Sequence, residues 1–265
     1  GGSTTDEGKA IAVDGDGDAY LTGYAQSTDF PVTASPYQGS RSGLQDAFVA
    51  KINPGGNGAS DKTYVTYIGG NGRDTGWGIA VDSNEKAYIT GDTATGFPTT
   101  TGAFRTSETS GTDIFVTKFA ANGQSLDYST YLGGSGDEIG YAITLSGSYI
   151  FITGETSSSD FDVKTSNATQ VNSGGGTDAI LAKIDPAGSG SSDLLFSSYH
   201  GGSSTDSGRG LALSSSTVYF VGSTNTSDSA ATPFPVVPDA NQMTPAYQWY
   251  LAGGVDAFAA KITGL

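Results

Sequence analysis

The sequence predicts an all-β chain of four tandem sheets, each of four antiparallel strands. Three observations lead there: an internal repeat of roughly 66 residues, four short strand-like runs within each copy, and glycine, serine and threonine where turns belong. The repeat is marked by Gly-Gly pairs at Gly1-Gly2, Gly69-Gly70, Gly133-Gly134 and Gly201-Gly202. An acidic residue follows the second glycine by four positions, as Asp6, Asp74, Glu138 and Asp206, and another glycine comes two residues later, as Gly8, Gly76, Gly140 and Gly208.

The first strand of each copy is Ile11-Ala12-Val13, Ile79-Ala80-Val81, Ile143-Thr144-Leu145 and Leu211-Ala212-Leu213, with the large/small alternation of a half-packed strand. A polar turn leads to a second strand with an aromatic column, Tyr20, Tyr88, Phe151 and Tyr219, ending at Gly23, Gly91, Gly154 and Gly222. After a longer loop the third strand opens on an aspartate and carries a lysine five residues on: Asp46/Lys51, Asp113/Lys118, Asp178/Lys183 and Asp256/Lys261. Five residues apart on a strand, the two point to opposite faces, so each lysine is expected to meet a carboxylate or carbonyl of a neighbouring sheet rather than its own aspartate. The fourth strand reads Tyr64 to Ile68, Tyr128 to Leu132 and Phe196 to His200.

Four-stranded sheets repeated in tandem, apolar on both faces, are the blades of a β-propeller, because one blade alone leaves both faces uncovered. The expectation is a single propeller domain over residues 1–265, with blades at about 1–68, 69–132, 133–200 and 201–265. The segment from Tyr128 to Glu138, the Ile79-Ala-Val-Asp strand, the Asp46-Ala-Phe-Val-Ala-Lys strand and the Thr28-Asp29-Phe30-Pro31 loop are similar to the bacterial SBBP repeat, the "seven-bladed β-propeller" repeat. That resemblance covers the whole chain in four copies where the family name counts seven. It implies a propeller of exported or surface proteins, and it implies no catalytic residues.

Composition narrows the function. The 27 acidic and 12 basic residues give a formal charge of −15, which repels nucleic acid and anionic lipid and favours cations. Cysteine is absent, which removes disulfides and thiolate metal sites. No run of 18 apolar residues exists to cross a membrane as a helix. The chain opens on Gly1-Gly2 rather than Met, which suggests a processed product, and an extracellular or cell-surface location is expected.

Fifteen strands are counted rather than sixteen, since the last copy stops after its third. The strand from Asp256 to Thr263 is therefore expected to show an open edge, a place for self-association or for another surface protein. The resulting expectation is a non-enzymatic structural or interaction module, a subunit of a self-assembling surface coat or filament. A carbohydrate-binding propeller is the alternative, and a polysaccharide-acting enzyme is the third reading.

Candidate sites follow from the columns. Asp6, Asp74, Glu138 and Asp206 could ring a channel mouth and hold calcium, or each could cap a turn by accepting backbone N–H groups; the capping role is favoured. Asp14-Gly-Asp16-Gly-Asp18 resembles the opening of a calcium loop, but its twelfth position is Ala25 rather than Glu, so a hairpin turn is the better reading. Tyr247, Trp249 and Tyr250 lie in the one irregular loop, 34 residues from Gly222 to Asp256 against 22 to 24 elsewhere, and suit a ligand or partner contact. Asn167 and Asn225 fit glycosylation sequons. No catalytic set is assembled around His200, the one histidine, which stands in the outer-strand column of Ile68 and Leu132.

Overall fold

A computed structural model describes residues 1–227, 234 and 254–265, and its regular elements are almost all strands. The first copy forms β1 (Asp6–Val13), β2 (Ala19–Ala25), β3 (Asp46–Ile52) and β4 (Lys62–Ile68), and the second forms β5 (Asp74–Val81), β6 (Ala87–Thr93), β7 (Asp113–Phe119) and β8 (Leu126–Leu132). The third gives β9 (Glu138–Ser146), β10 (Tyr149–Thr156), β11 (Asp178–Ile184) and β12 (Leu194–His200), and the fourth gives β13 (Asp206–Ser214), β14 (Thr217–Thr224) and β15 (Asp256–Thr263). Every neighbouring pair is antiparallel, in sheets ordered β1-β2-β3-β4, β5-β6-β7-β8, β9-β10-β11-β12 and β13-β14-β15. These are propeller-type blades, three of four strands and one of three. β15 is an edge strand among the described residues.

The chain divides into two compact units. One joins residues 1–108, 112–132 and 186–191 and holds the first two blades; the other joins 109–111, 133–185 and 192–265 and holds the last two. Each unit is described by itself.

In the first unit the apolar face of the first blade, with Tyr20, Val49, Tyr64 and Ile68, packs on Ile79, Ile89, Phe115 and Phe119 of the second. Burying such side chains contributes about 1.5–3 kcal/mol each. Approach is close enough that residue type is dictated at one point: a Cβ on Gly76 would overlap the Thr22 hydroxyl. Thr22 in turn donates to Phe48 O at 2.8 Å, so it cannot move aside freely. The second unit repeats the arrangement, with Phe151, Leu181 and Phe196 on Val218, Phe220 and Phe258, and with Gly208 against Thr153. A short parallel bridge stitches each blade pair, Gln45 to Arg73 in the first unit and Thr177 to Thr205 in the second.

The same outer-strand tyrosine pins the long loop of three blades. Tyr67, Tyr131 and Tyr199 donate their hydroxyls to the carbonyls of Ser27, Phe97 and Ser158 at 2.5, 3.1 and 2.9 Å. The loop aromatics this fixes pack on the blade beneath, as Phe97 stacks on Phe115 with centroids 4.3 Å apart.

Gly76→Ala and Gly208→Ala are each expected to lower stability by about 1–3 kcal/mol through overpacking. Gly8→Ala in the same column should be nearly neutral, since nothing lies within 4 Å of the added carbon. Thermal unfolding of the three variants tests this, and equal losses at all three would refute the blade packing described.

Candidate functional site

The acidic column that opens each first strand caps the turn before it. The N–H of Gly2, Gly70, Gly134 and Gly202 donates to Asp6, Asp74, Glu138 and Asp206 at 2.6, 2.8, 2.8 and 2.7 Å. Hydroxyls complete each set: Ser27 at 2.7 Å on Asp6, Thr93 on Asp74, Thr156 and Ser158 on Glu138, and Thr226 at 3.1 Å on Asp206. A carboxylate so surrounded by donors is a structural clamp, and a cation would have to displace them. Among the described residues no group of three or more His, Cys, Asp or Glu side chains is placed to hold a metal ion.

Within each unit the column meets the aspartate of the preceding blade's third strand. Asp46 accepts the Ser42 and Gly43 N–H at 2.8 and 3.0 Å, and Gly69 lies between it and Asp74, where a Cβ would stand 2.8 Å from Asp46 Cγ and 2.5 Å from Asp74 Oδ2. In the second unit Asp178 accepts Ser173 Oγ and Gly174 N–H at 2.6 and 2.9 Å, while its Oδ1 is buried without a partner. Burial, aided by the facing carboxylate, pushes Asp74 up to about 7 and Asp178 up to about 6. Burial raises Asp206 in the same way. Asp6 goes the other way: burial opposes it, but the N–H of Gly2 and the hydroxyl and N–H of Ser27 hold it below its ordinary value.

Asp14 builds the first hairpin turn. Its Oδ1 accepts the N–H of Asp16 and Asp18 at 3.0 and 2.9 Å, and its Oδ2 accepts the Tyr20 hydroxyl at 3.0 Å. Asp82 does the same in the second blade for Asn84, Lys86 and Tyr88, at 2.8, 3.0 and 3.0 Å. Asp16 is exposed.

The lysine column has two partners, one of which the spacing did not reveal. As expected from opposite faces, Lys51 reaches Glu85 of the next blade at 2.5 Å, and it also meets Asp18 at 3.1 Å. Burial would lower this ammonium, but Glu85, Tyr20 and Asp18 outweigh it and hold it high. Glu85 sits at φ 61°, in the column of Gly17 at φ 88°, and a side chain in that region is strained. Its ion pair with Lys51 accounts for a glutamate there. The further partner is aromatic: Lys51, Lys118, Lys183 and Lys261 pair in register with Tyr20, Tyr88, Phe151 and Tyr219 across β2–β3 and its equivalents, with Nζ 5.2, 5.1, 5.4 and 5.9 Å from the ring centroids.

One cluster in each unit escaped the sequence reading, because its column changes chemistry in every copy. Lys9, Trp77, Tyr141 and Arg209 each follow the first-strand glycine. Lys9 Nζ lies 4.7 Å from the Trp77 ring, and Trp77 Nε1 donates to Asp92 at 2.5 Å. Burial raises Asp92 to about 6. In the second unit the Arg209 guanidinium lies 3.7 Å from the Tyr141 ring, Tyr141 donates to Glu155 at 2.9 Å, and Arg209 lies 3.5 Å from Glu155.

His200 is buried, 4.8 Å from the Phe220 ring, with Nδ1 unpartnered and Nε2 3.5 Å from Thr169 Oγ1. Burial pushes it down to about 3, which keeps the imidazole neutral at pH 7. Asn167 is exposed, its Nδ2 donating to Leu195 O at 2.9 Å, and Asn225 is exposed, its Oδ1 accepting the Thr205 N–H at 2.5 Å. Tyr247, Trp249 and Tyr250 lie outside the described residues.

Asp74 has a folded value of about 7 against an ordinary 3.8, so its ionised form opposes folding. Stability is gained as pH falls through 7 and levels off near 4, by on the order of 4 kcal/mol at most for such a shift. Asp74→Asn keeps a carbonyl for Gly70, and Thr93 can rotate to accept. Urea unfolding should find the variant's advantage over the parent larger at pH 8 than at pH 4; a pH-independent difference would refute the assignment. His200 has the opposite sign: its folded value of about 3 lies below the ordinary 6.5, so stability is lost as pH falls below 6.5. His200→Leu is expected to remove a loss of about 2 kcal/mol between pH 7 and pH 5, and parallel pH curves would refute it.

A family model for the SBBP beta-propeller repeat matches residues 1–31 and 63–98, which take in β1, β2 and the run from β4 into the loop after β6. No curated protein matches the chain. The matched stretches carry the Gly-Gly pair, the capping acid, the hairpin turn and the Phe-Pro loop, and the Gly-Gly pair and capping acid recur in the other two blades. In these two stretches the chain is similar to the SBBP beta-propeller repeat.

Proposed function

We propose that the chain is a non-enzymatic structural and interaction module of the cell exterior that works by associating with copies of itself. The observation that supports this most is how the recurring chemical groups are used. The acidic column holds turns, Lys51 and Glu85 join two blades, and His200 is neutral and enclosed. None of these faces a substrate, and a catalytic residue is seldom needed four times. Among the described residues β15 is an edge strand, a surface that another strand could join. An acidic chain of charge −15 suits a soluble, exported setting.

The carbohydrate-binding alternative rests on Tyr247, Trp249 and Tyr250. Light scattering across a concentration series and incubation with a panel of polysaccharides separate the readings. Association with concentration and no release of reducing ends is expected. Turnover that disappears with a single carboxylate substitution would overturn the proposal, and saturable glycan binding by an unchanging monomer would replace it with the alternative.

A further inference from the structure

Among the described residues, two blade faces expose apolar side chains: the fourth blade's, and the first blade's along β1, the outer strands of that face being buried under Phe30 and Val32. On the first blade, the face turned from the second shows Ile11 64% and Val13 59% exposed, and Gly8 with nothing within 4 Å of a would-be Cβ. On the fourth blade, the face turned from the third shows Tyr219 40% and Val221 49% exposed, flanked by exposed Ala257 and Ala259. Flat apolar sheet faces of this kind are interaction surfaces or liabilities.

The repeat columns say what fits them. Ile11 is the counterpart of Ile79, which the first blade covers to 8% exposure. Gly8 is the counterpart of Gly76 and Gly208, whose bare backbone receives Thr22 and Thr153 of the blade in front. On the other face, Tyr219 is the counterpart of Tyr20, which the second blade buries fully, and Val221 stands in the column of Thr22 and Thr153 with the same shape. The open face of the fourth blade is therefore a copy of the surface with which the first blade grips the second. The open face of the first blade is a copy of the surface that is gripped.

We infer that a second copy of this chain covers these faces, the fourth blade of one copy lying on the first blade of the next as the first lies on the second within one chain. Val221 then enters the space over Gly8, and Tyr219 packs beside Ile11 and Val13. Charge agrees. Lys261 is the counterpart of Lys51, whose partner Glu85 comes from the first turn of the neighbouring blade, and the first turn of the first blade carries exposed Asp16 beside Gly17, the Glu85 position. The contact is heterologous, one face to a different face, so association continues head to tail unless the rotation closes a ring. This inference rests on the self-association proposed above and places it on sheet faces rather than on the β15 edge.

Two substitutions leave the folded chain room. Gly8→Leu projects into open space in one copy but would collide with Val221 of another, and Val221→Lys puts a charge on an exposed position. Sedimentation velocity of the full chain should show mass rising with concentration. Each variant alone should remain at one chain mass with an unchanged circular dichroism spectrum and melting temperature. An equimolar mixture should form a dimer that grows no further, because each variant keeps the face the other lacks. Association that survives both substitutions would leave self-association standing and overturn this contact. A parent chain that stays monomeric at every concentration would overturn both.

Discussion

The fold depends on one physical constraint, that a four-stranded sheet with two apolar faces cannot bury either of them alone. Each blade is stable only when a neighbour lies flat against it, at a separation set by backbone rather than by side chains. The Thr22–Gly76 and Thr153–Gly208 contacts mark that separation. A threonine whose hydroxyl is tied to a carbonyl across the strand meets a glycine that has no carbon to offer, and the sheets close over the apolar rows between them. Tyr20, Val49 and Ile79 are enclosed as a consequence.

Polar groups follow from that closeness. Drawing two blades together brings the third-strand aspartate of one beside the first-strand acid of the next, as with Asp46 and Asp74. Backbone N–H groups make the junction tolerable, Ser42 and Gly43 donating to Asp46 and Gly70 to Asp74. The arrangement is held at a cost, since a buried pair of carboxylates resists double ionisation. His200 sets an opposing dependence in the second unit, because a buried imidazole resists gaining a charge while a buried carboxylate resists losing a proton. The pH response of this chain is thus a balance of groups whose burial is imposed by blade packing rather than selected for titration.

Repetition separates scaffold from variation. Columns that keep their chemistry are structural: the capping acids hold turns, Asp46 and Asp178 meet the next blade's acid, and the third-strand lysines lie over the aromatic rings of their own sheets, Lys51 reaching the next blade as well. The column of Lys9, Trp77, Tyr141 and Arg209 changes from copy to copy and gathers aromatic, cationic and acidic groups on the first strands, partly open to solvent. A repeat protein can differentiate its copies at such positions without disturbing the sheets.

The sequence by itself determined the order of the strands among the described residues and the acids that cap their turns. All of these are local or periodic, and four copies in one chain let each column be read four times. Lys51 reaching a neighbouring blade was legible too, because strand alternation assigns the face. Only the tertiary structure decided which residues meet between strands and blades. The register that stacks Lys51 on Tyr20, the pairing of Asp46 with Asp74 around Gly69, and the strained Glu85 that answers Lys51 all join residues tens of positions apart. Their energies depend on distance and burial, which no column records. Gly8 states the difference most plainly: by sequence it is the same glycine as Gly76, and what lies over it is a matter of three dimensions.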